Sequence, residues 1–195
     1  MTAARKLAAV PNAPKKLDLG CGPGKKEGFY GVDRIAFPGV DLVLDFGKGS
    51  WPWADNSIEE AHSSHTLEHL TNLQEKWERV TFFNELYRVM KPGGKCSLTI
   101  PHWASNRYYG DPTHKEPFSE MGFYYLDKNW RAQNAPHTDI QHNPNGYSCH
   151  WRCEWGYSMH QSLLARNDEY RQFAMQNYKE SCQDIIATMT AIKDE

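Results

Sequence analysis

The sequence predicts an α/β domain built on a mostly parallel β-sheet, and three observations lead to this fold class. Short apolar runs bounded by turn residues alternate with helical patterns up to about residue 101. A glycine-rich turn, GCGPG at residues 20–24, follows the first apolar run, and glycine turns at this place are typical of parallel βαβ units. The 195 residues are enough for one domain with a buried core.

Five strands are predicted in the first half of the chain, each from a short apolar or alternating run. They are KKLDLG at 15–20, FYGVDR at 29–34, VDLVLD at 40–45, the unusually polar EEAHSSH at 59–65, and KCSLTIP at 95–101. Before the fifth strand, apolar residues spaced by three and four from Asn72 to Met90 predict an amphipathic helix. The KPGG stretch at 91–94 is expected to end this helix and form a turn.

The second half of the chain is less regular. Residues 102–147 are rich in Tyr, Trp, His, Asn and Pro without a sustained period, which predicts an inserted substrate loop too aromatic for disorder. Alternation from Ser148 to Leu164 predicts a strand, and apolar residues at helical spacing from Asn167 to Ile192 predict a C-terminal helix. We therefore expect one domain over 1–195, with a core at 16–101, the insertion at 102–147, and terminal strands and a helix at 148–195.

Composition limits the partners and the compartment. A formal net charge of -2 gives no overall electrostatic reason to expect nucleic acid or an anionic membrane as partner. No apolar run reaches the roughly 18 residues that a membrane helix needs, and residues 1–16 are too weakly apolar for a signal peptide. The five cysteines are scattered and form no CxxC pair, which favours free thiols. These observations predict a cytoplasmic protein.

Acidic residues stand at the ends of the predicted strands nearest the glycine turn. Asp18 precedes the turn, Asp33 ends the second strand, and Asp45, followed by Phe46, ends the third. In parallel sheets, ligands bind at the carboxyl ends of the strands. A carboxylate there can accept hydrogen bonds from ribose hydroxyls, and an acid next to an aromatic ring can contact an adenine base. The pattern predicts a site for an adenosine-containing ligand.

These residues lie in stretches that resemble the class I S-adenosyl-L-methionine (SAM) dependent methyltransferases. The stretches are LDLGCGPG at 17–24, GVDR at 31–34, DNSIEEAHSSHTLEHL at 55–70 and ELYRVMKPGG at 85–94. The resemblance covers about residues 16–101. It implies a Rossmann-like sheet of seven strands in the order 3-2-1-4-5-7-6, with the seventh strand antiparallel, and SAM bound over strands one to four.

The resemblance also implies, position by position, which residues hold SAM. The methionine moiety is assigned to Asp18, Gly20, Cys21, Gly22 and Gly24. The ribose is assigned to Asp33, and Arg34 next to it is also placed in the cofactor site. The adenine is assigned to Asp45 and Phe46, and the surroundings of the sulfonium to Ser64 and His65.

This chain departs from the usual pattern between the first two strands. Only eight residues, 21–28, lie where most relatives have a helix, and parallel crossovers normally need a dozen or so. We therefore expect the first βαβ helix to be shortened or absent. The sheet face left bare would then be covered by the C-terminal helix or by a second subunit in a homodimer.

Methyl transfer from a sulfonium requires an aligned acceptor and, where the acceptor carries a proton, a base. His102 is the favoured base because it lies nearest the end of the fifth strand, and His65, His114 and Asp111 are further candidates. A competing interpretation gathers His102, Asp111 and His114 around a divalent cation. Spacing alone does not establish such a site, so no metal ligand is assigned.

The acceptor is expected to be a small molecule methylated on oxygen or nitrogen. After the fourth strand the chain reads SHTL at 64–67, which differs from the Asn/Asp-Pro-Pro-Tyr/Phe motif of the methyltransferases that act on bases or on glutamine. Two other classes stay open. One is a SAM-binding regulatory module without catalysis, and the other is a nicotinamide-dependent oxidoreductase, which would call for GxGxxG followed by a helix.

Overall fold

A seven-stranded sheet in the order β3-β2-β1-β4-β5-β7-β6 forms the centre of the computed structural model, which describes residues 14–73 and 76–193. The strands are β1 (Lys16–Leu19), β2 (Tyr30–Asp33), β3 (Leu42–Val43), β4 (Ile58–Ser64), β5 (Met90–Pro101), β6 (Trp151–Met159) and β7 (Cys182–Ala191). Strands β1 to β5 pair in parallel, and β7 is antiparallel to both β5 and β6. The predicted Rossmann-like fold and its strand order are confirmed.

The helices flank this sheet and, except for α1 and α7, are short. They are α1 (Glu78–Val89), α2 (Asn106–Gly110), α3 (Met121–Tyr124), α4 (Lys128–Asn134), α5 (Asp139–His142), α6 (Gln161–Leu164) and α7 (Asp168–Asn177), and Leu67–His69 forms a 3-10 turn. Over residues 14–73 and 76–193, no helix is long and apolar enough to cross a membrane.

Helix α1 begins at Glu78 rather than at the predicted Asn72. Trp77 adopts a left-handed backbone with φ of 52°, which separates the helix from the residues before it. Asn72 instead caps the helix from the preceding loop, because its Oδ1 accepts the backbone N–H groups of Arg79 at 3.1 Å and Val80 at 3.3 Å. The apolar periodicity therefore extends past the helix at its amino end.

The helix ends at Val89, one residue before the predicted Met90, but residues 91–94 do not form a separate turn. They belong to β5, where Met90 pairs with Ile58 and Lys95 pairs with Glu60, so the stretch between forms a bulge.

The predicted C-terminal helix is wrong beyond residue 177. Asn167 does cap α7, since its Oδ1 accepts the backbone N–H of Tyr170 at 2.9 Å. Residues 182–191 then form β7, which lies between β5 and β6. Ile185 and Met189 are fully buried, whereas Ile186 is about half exposed. Buried and exposed residues therefore alternate as in a strand, although the same apolar residues also fit helical spacing.

Two buried arginines hold the insertion at 102–147 on the rest of the protein. The predicted irregular loop contains the short helices α2 to α5. Arg79 of α1 donates to the carbonyl oxygen of Pro117 at 2.8 Å, and Arg131 of α4 donates to that of Cys149 at 2.8 Å. Both side chains are almost fully buried, so the insertion is anchored by hydrogen bonds as well as by its aromatic residues.

The loop between β1 and β2 has no helix at residues 20–29, as predicted. It covers part of the sheet face itself. A Cβ on Gly31 would meet Cδ of Lys25 at 2.5 Å and Sγ of Cys21 at 2.9 Å, so the loop lies directly on β2. The ring of Phe29 packs on His62 of β4, with centroids 6.4 Å apart. The hypothesis that the C-terminal helix covers this face is wrong, because residues 182–191 form β7 and the helix that remains, α7, lies near His102 and Tyr157, at the side of the sheet formed by β5 and β6.

The core lies between the sheet and α1. Leu17 and Leu19 of β1 and Phe82 and Leu86 of α1 are fully buried and belong to one apolar cluster. Phe46, directly after the β3 region, packs edge-on against Phe82 with ring centroids 6.0 Å apart. The core therefore fixes the end of the third strand next to the glycine turn. All five cysteines are free, in agreement with the prediction.

Candidate active site

A cavity of about 610 Å³ opens beside the glycine turn, at the carboxyl ends of β1, β2 and β4. Small-molecule pockets commonly measure about 300–1,000 Å³. The predicted cofactor residues that line it are Gly20, Gly22, Asp33, Arg34, Asp45, Phe46 and His65. The other predicted cofactor residues, which are not part of its lining, are Asp18, Cys21, Gly24 and Ser64. The insertion contributes Thr113 and Lys115 to the wall.

The glycine turn is held by β2. Gly20 and Cys21 both donate their backbone N–H groups to the carbonyl oxygen of Val32, at 2.8 and 3.2 Å. Gly20 has φ of 74° and Gly22 has φ of 53°, a region that side chains rarely adopt. Glycine is therefore needed at both positions for the chain to turn at the cavity mouth.

The two acids next to the turn have different surroundings. Asp33 lines the cavity, and its carboxylate accepts the backbone N–H groups of Gly22 and Ile35, each at 2.9 Å. Asp18 is buried below the turn and accepts the backbone N–H of Lys26 at 2.7 Å. Asp18 thus orders the loop, whereas Asp33 both orders it and faces the cavity.

Asp45 and Phe46 form the opposite wall of the cavity. Oδ2 of Asp45 pairs with Nζ of Lys48 at 2.7 Å, and its Oδ1 accepts the backbone N–H of Gly47 at 3.2 Å. Burial acts to raise the pKa of Asp45, but the hydrogen bonds from Lys48 and Gly47 outweigh burial and lower the pKa. The Asp45 carboxylate is therefore ionised at neutral pH and able to accept further hydrogen bonds.

His65 lies on the cavity wall between two buried carboxylates. Its Nδ1 is 3.4 Å from Oε1 of Glu68, and its Nε2 is 3.9 Å from Oδ1 of Asp184. The interaction with Glu68 raises the pKa of His65 above its ordinary value, although burial opposes it. The residue has φ of 52°, and backbone strain of this kind is concentrated at functional sites.

His102, the favoured base, is not in this cavity. It lines a second cavity of about 740 Å³ together with Trp103, Glu120 and Tyr157. His102 is 3 % exposed, its Nε2 lies 3.3 Å from Oε1 of Glu120, and its Nδ1 accepts the backbone N–H of Ala104 at 3.2 Å. Both ring nitrogens of His102 are therefore already engaged by the protein.

His114 and Asp111 lie next to each other, near the first cavity, but apart from His102. Nε2 of His114 is 3.8 Å from Oδ2 of Asp111 and 3.8 Å from Oε1 of Glu68. Within the part of the chain that the structure describes, the cluster with metal-ligand spacing is Glu68, His69 and His114. The predicted trio of His102, Asp111 and His114 is not brought together.

Sequence reasoning missed Glu68, His69 and Asp184. Glu68 and His69 follow His65 by three and four residues, and this spacing on a helical turn is a signal that could have grouped them. Asp184 could not be found this way, because it comes from β7, which was predicted to be helical.

A family model for the methyltransferase domain matches residues 33–98, about a third of the chain. No curated protein sequence matches. Among solved structures, the chain is similar to a SAM-dependent methyltransferase from Archaeoglobus fulgidus, with 17% identity and a TM-score of 0.57, covering 92% of this chain and 86% of that one. A SAM-dependent methyltransferase from Thermotoga maritima has 13% identity and a TM-score of 0.53, with coverages of 96% and 87%.

The [4+2]-cyclase SpnF also shares the fold, at 15% identity and a TM-score of 0.51, covering 92% of this chain and 74% of that one. Likeness at these identities concerns the fold and leaves the reaction open. SAM is the cofactor of the matched methyltransferase class. The sheet order and the similar solved structures show that the chain has the fold of the class I SAM-dependent methyltransferases, and the methyltransferase-domain model matches the part of it from residue 33 to residue 98.

Proposed function

We propose that the protein binds SAM in the 610 Å³ cavity and transfers its methyl group to an oxygen or nitrogen atom of a small-molecule acceptor. One observation carries the proposal. The glycine turn, Asp33, Asp45 and His65 converge on one cavity at the carboxyl ends of adjacent parallel strands. The same proposal assigns the enzyme to the cytoplasm, with neither nucleic acid nor a membrane as partner.

The residues at the cavity fit such a cofactor. A Cβ on Gly22 or Gly24 would meet no atom within 4 Å, so the glycines leave open space in front of the turn for a ligand to approach the backbone. Asp33 and Asp45 supply carboxylate oxygens for hydroxyl and amino donors. Bound SAM would supply an electrophilic methyl group on a sulfonium.

The proposed roles of this chain's residues follow their positions. Asp33 binds the ribose hydroxyls, with Arg34 beside it, and Asp45 and Phe46 bind the adenine. The residues proposed to hold the methionine moiety and the region of the sulfonium are Asp18, Gly20, Cys21, Gly22, Gly24 and Ser64. Asp18, Cys21, Gly24 and Ser64 do not line the cavity, and we propose that they shape the backbone of the glycine turn and the end of β4.

We assign the proton-accepting role to His65 in place of His102. His65 lines the cavity, and its Nδ1 lies 3.4 Å from Oε1 of Glu68 without a hydrogen bond to it, whereas both ring nitrogens of His102 are hydrogen-bonded within the protein. A base in the cavity wall can take the proton that a hydroxyl or amine acceptor loses when it is methylated.

Two alternatives remain to be separated by experiment. A SAM-binding module without turnover would bind the cofactor in the same cavity, and the likeness to a cyclase shows that this fold does not dictate methyl transfer. A nicotinamide-dependent oxidoreductase is disfavoured, because residues 20–29 contain no helix whose amino end could bind a pyrophosphate.

Calorimetric titration of the protein with SAM and S-adenosylhomocysteine, with NAD for comparison, tests the cofactor. Asp33→Asn should weaken SAM binding at least about tenfold, because a ribose hydroxyl loses a charged acceptor. Asp41→Asn is the matched control. Asp41 also accepts a backbone N–H, from Gly31 at 2.7 Å, but does not line the cavity. A folded protein that bound neither SAM nor its product, or that bound NAD instead, would refute the assignment.

Turnover is tested separately by incubating the protein with methyl-labelled SAM and fractionated small metabolites. Transfer of label to an acceptor that disappears in Asp33→Asn supports the enzyme. Cofactor binding without transfer to any fraction would favour the regulatory module. Light scattering of the same sample tests the homodimer that was proposed to cover the sheet face.

A further inference from the structure

We propose that Glu68, His69 and His114 bind a divalent transition-metal ion at the edge of the 610 Å³ cavity. One candidate ligand atom of each residue lies within 4.8 Å of the other two. Ligand atoms about 2.1 Å from a tetrahedral ion lie roughly 3.4 Å apart, so rotation of the three side chains by little more than an ångström would close the site. Two imidazoles and one carboxylate are a ligand set that suits Zn²⁺ or Fe²⁺ and leaves coordination positions open.

The hydrogen bonds of the two histidines orient them as ligands. Nδ1 of His114 lies 2.6 Å from the carbonyl oxygen of Tyr108, and Nδ1 of His69 lies 3.4 Å from that of Thr113. A carbonyl can only accept, and the Thr113 hydroxyl, 3.3 Å from Nδ1 of His69, already donates to Asp111, so Nδ1 is the donor in each ring. In a neutral imidazole this arrangement leaves the lone pair of Nε2 for an ion. Metal-binding histidines in proteins are fixed in this way, with the second nitrogen donating to a backbone carbonyl or a carboxylate.

Glu68 is the observation that points most directly to a missing partner. The residue is 2 % exposed, and neither of its carboxylate oxygens has a hydrogen-bond partner. Buried carboxylates without partners are costly and call for an explanation. Nδ1 of His65 lies 3.4 Å from Oε1 of Glu68 but outside hydrogen-bond geometry. The His65 side chain is 44% exposed, and its Nε2 lies 3.9 Å from Oδ1 of Asp184. A cation between Glu68 and His114 would satisfy the carboxylate directly.

The surrounding structure holds the three ligands near one another. Glu68 and His69 belong to the 3-10 turn after β4, while His114 belongs to the insertion. The backbone N–H of Lys115 donates to the carbonyl oxygen of Glu68 at 2.8 Å, which joins the two segments. Arg79 donates to carbonyl oxygens on both sides, to Leu70 at 2.9 Å and to Pro117 at 2.8 Å.

A fourth ligand, a carboxylate oxygen, is available from the insertion. Oδ1 of Asp111 accepts both the backbone N–H and the hydroxyl of Thr113, each at 2.7 Å, which leaves Oδ2 facing Nε2 of His114 at 3.8 Å. His69 also lines the cavity proposed for SAM. If the proposed methyl transfer is correct, an ion here could bind an acceptor hydroxyl and lower its pKa, but metal binding itself does not depend on that function.

The experiment is a titration of the metal-free protein with Co²⁺, followed by visible absorption, and with Zn²⁺, followed by calorimetry. We expect one ion per chain. Glu68→Gln and His114→Gln should each weaken Zn²⁺ binding by on the order of a hundredfold, since each removes one ligand. His137→Gln, which removes an exposed histidine elsewhere on the insertion, is the matched control and should bind Zn²⁺ like the wild type.

Stoichiometric binding that is lost in both ligand variants and kept in the control supports the site. Equal Zn²⁺ affinity in the wild type and Glu68→Gln would overturn it, and so would the lack of a one-to-one complex in the wild type. If a buried variant fails to fold, His69→Gln, at the cavity wall, gives the same test. These titrations use no SAM, so failure of the metal site and failure of the proposed methyl transfer give different results.

Discussion

Thr66 lies directly against the α-carbon of Gly20. A Cβ at residue 20 would be 1.9 Å from Oγ1 of Thr66, far closer than any van der Waals contact. The Thr66 hydroxyl donates to the carbonyl oxygen of Leu19 at 3.2 Å, so it is not free to move aside. The end of β4 and the glycine turn after β1 are therefore in direct contact at the cavity.

Gly20→Ala should destabilise the protein by about 2–4 kcal/mol, from the overlap with Thr66 and the positive φ together. Gly24→Ala is the matched control, because a Cβ there would meet no atom within 4 Å. Its free energy of unfolding should stay within about 0.5 kcal/mol of the wild type. Urea denaturation measures both, and equal stability of the two variants would show that Thr66 does not confine the turn.

Arg79→Met should lower the free energy of unfolding by about 3 kcal/mol. The change keeps much of the side-chain volume but leaves buried carbonyl oxygens of the insertion and of the 3-10 turn without a donor. Arg171→Met serves as the control, because Arg171 pairs with Asp168, which is almost fully exposed, and should change stability by less than about 1 kcal/mol. Thermal unfolding that showed similar losses for both variants would contradict the anchoring role of Arg79.

His65→Gln should lower kcat about 100-fold and change the Kd for SAM far less, because the proton acceptor is lost while a polar side chain remains at the cavity wall. His102→Gln should change kcat by less than about threefold, since His102 lies in the second cavity. Steady-state kinetics with the acceptor found by labelling gives both values. A larger loss in His102→Gln than in His65→Gln would place the acceptor in the second cavity and restore His102 as the base.

The cysteines should react slowly with iodoacetamide in the folded protein. Burial raises the pKa of Cys21 to about 11, and Asp18 and Asp33 add to the effect. At pH 8 its thiolate fraction is then on the order of a hundredfold below that of a free cysteine. Mass spectrometry after a short labelling pulse checks this, with denatured protein as the control. Labelling of Cys21 at the rate of a small thiol would contradict the expected pKa.

The sequence predicted the structure around the glycine turn better than that of the insertion and the last strand. Strands β1 and β2, the missing helix and the acids at the strand ends are encoded by adjacent residues, so local pattern was sufficient. The segment 182–191 was different, because Cys182, Ile185 and Met189 suit one face of a helix as well as one face of a strand. Only its place between β5 and β6 decides the matter.

The cluster around Glu68 could not be predicted for a related reason. His114 reaches Glu68 only because a buried arginine from α1 binds the carbonyl oxygens of two segments that are distant in sequence. The position of His102 likewise depends on Glu120, which packs against it from the insertion. Strand ends can be aligned from sequence, whereas the folding of an aromatic insertion depends on contacts that no periodicity records.

The short loop between β1 and β2 has a consequence for the order of folding. The hydrogen bond from Gly22 to Asp33 spans 11 residues, whereas the ion pair of Arg107 with Asp184 spans 77. Closing a longer loop costs more chain entropy, so we expect amides of β1 and β2 to become protected before those of the insertion in pulsed hydrogen exchange during refolding. The opposite order would contradict this. A nascent chain would then complete the glycine turn and its contact with Asp33 before the insertion has folded.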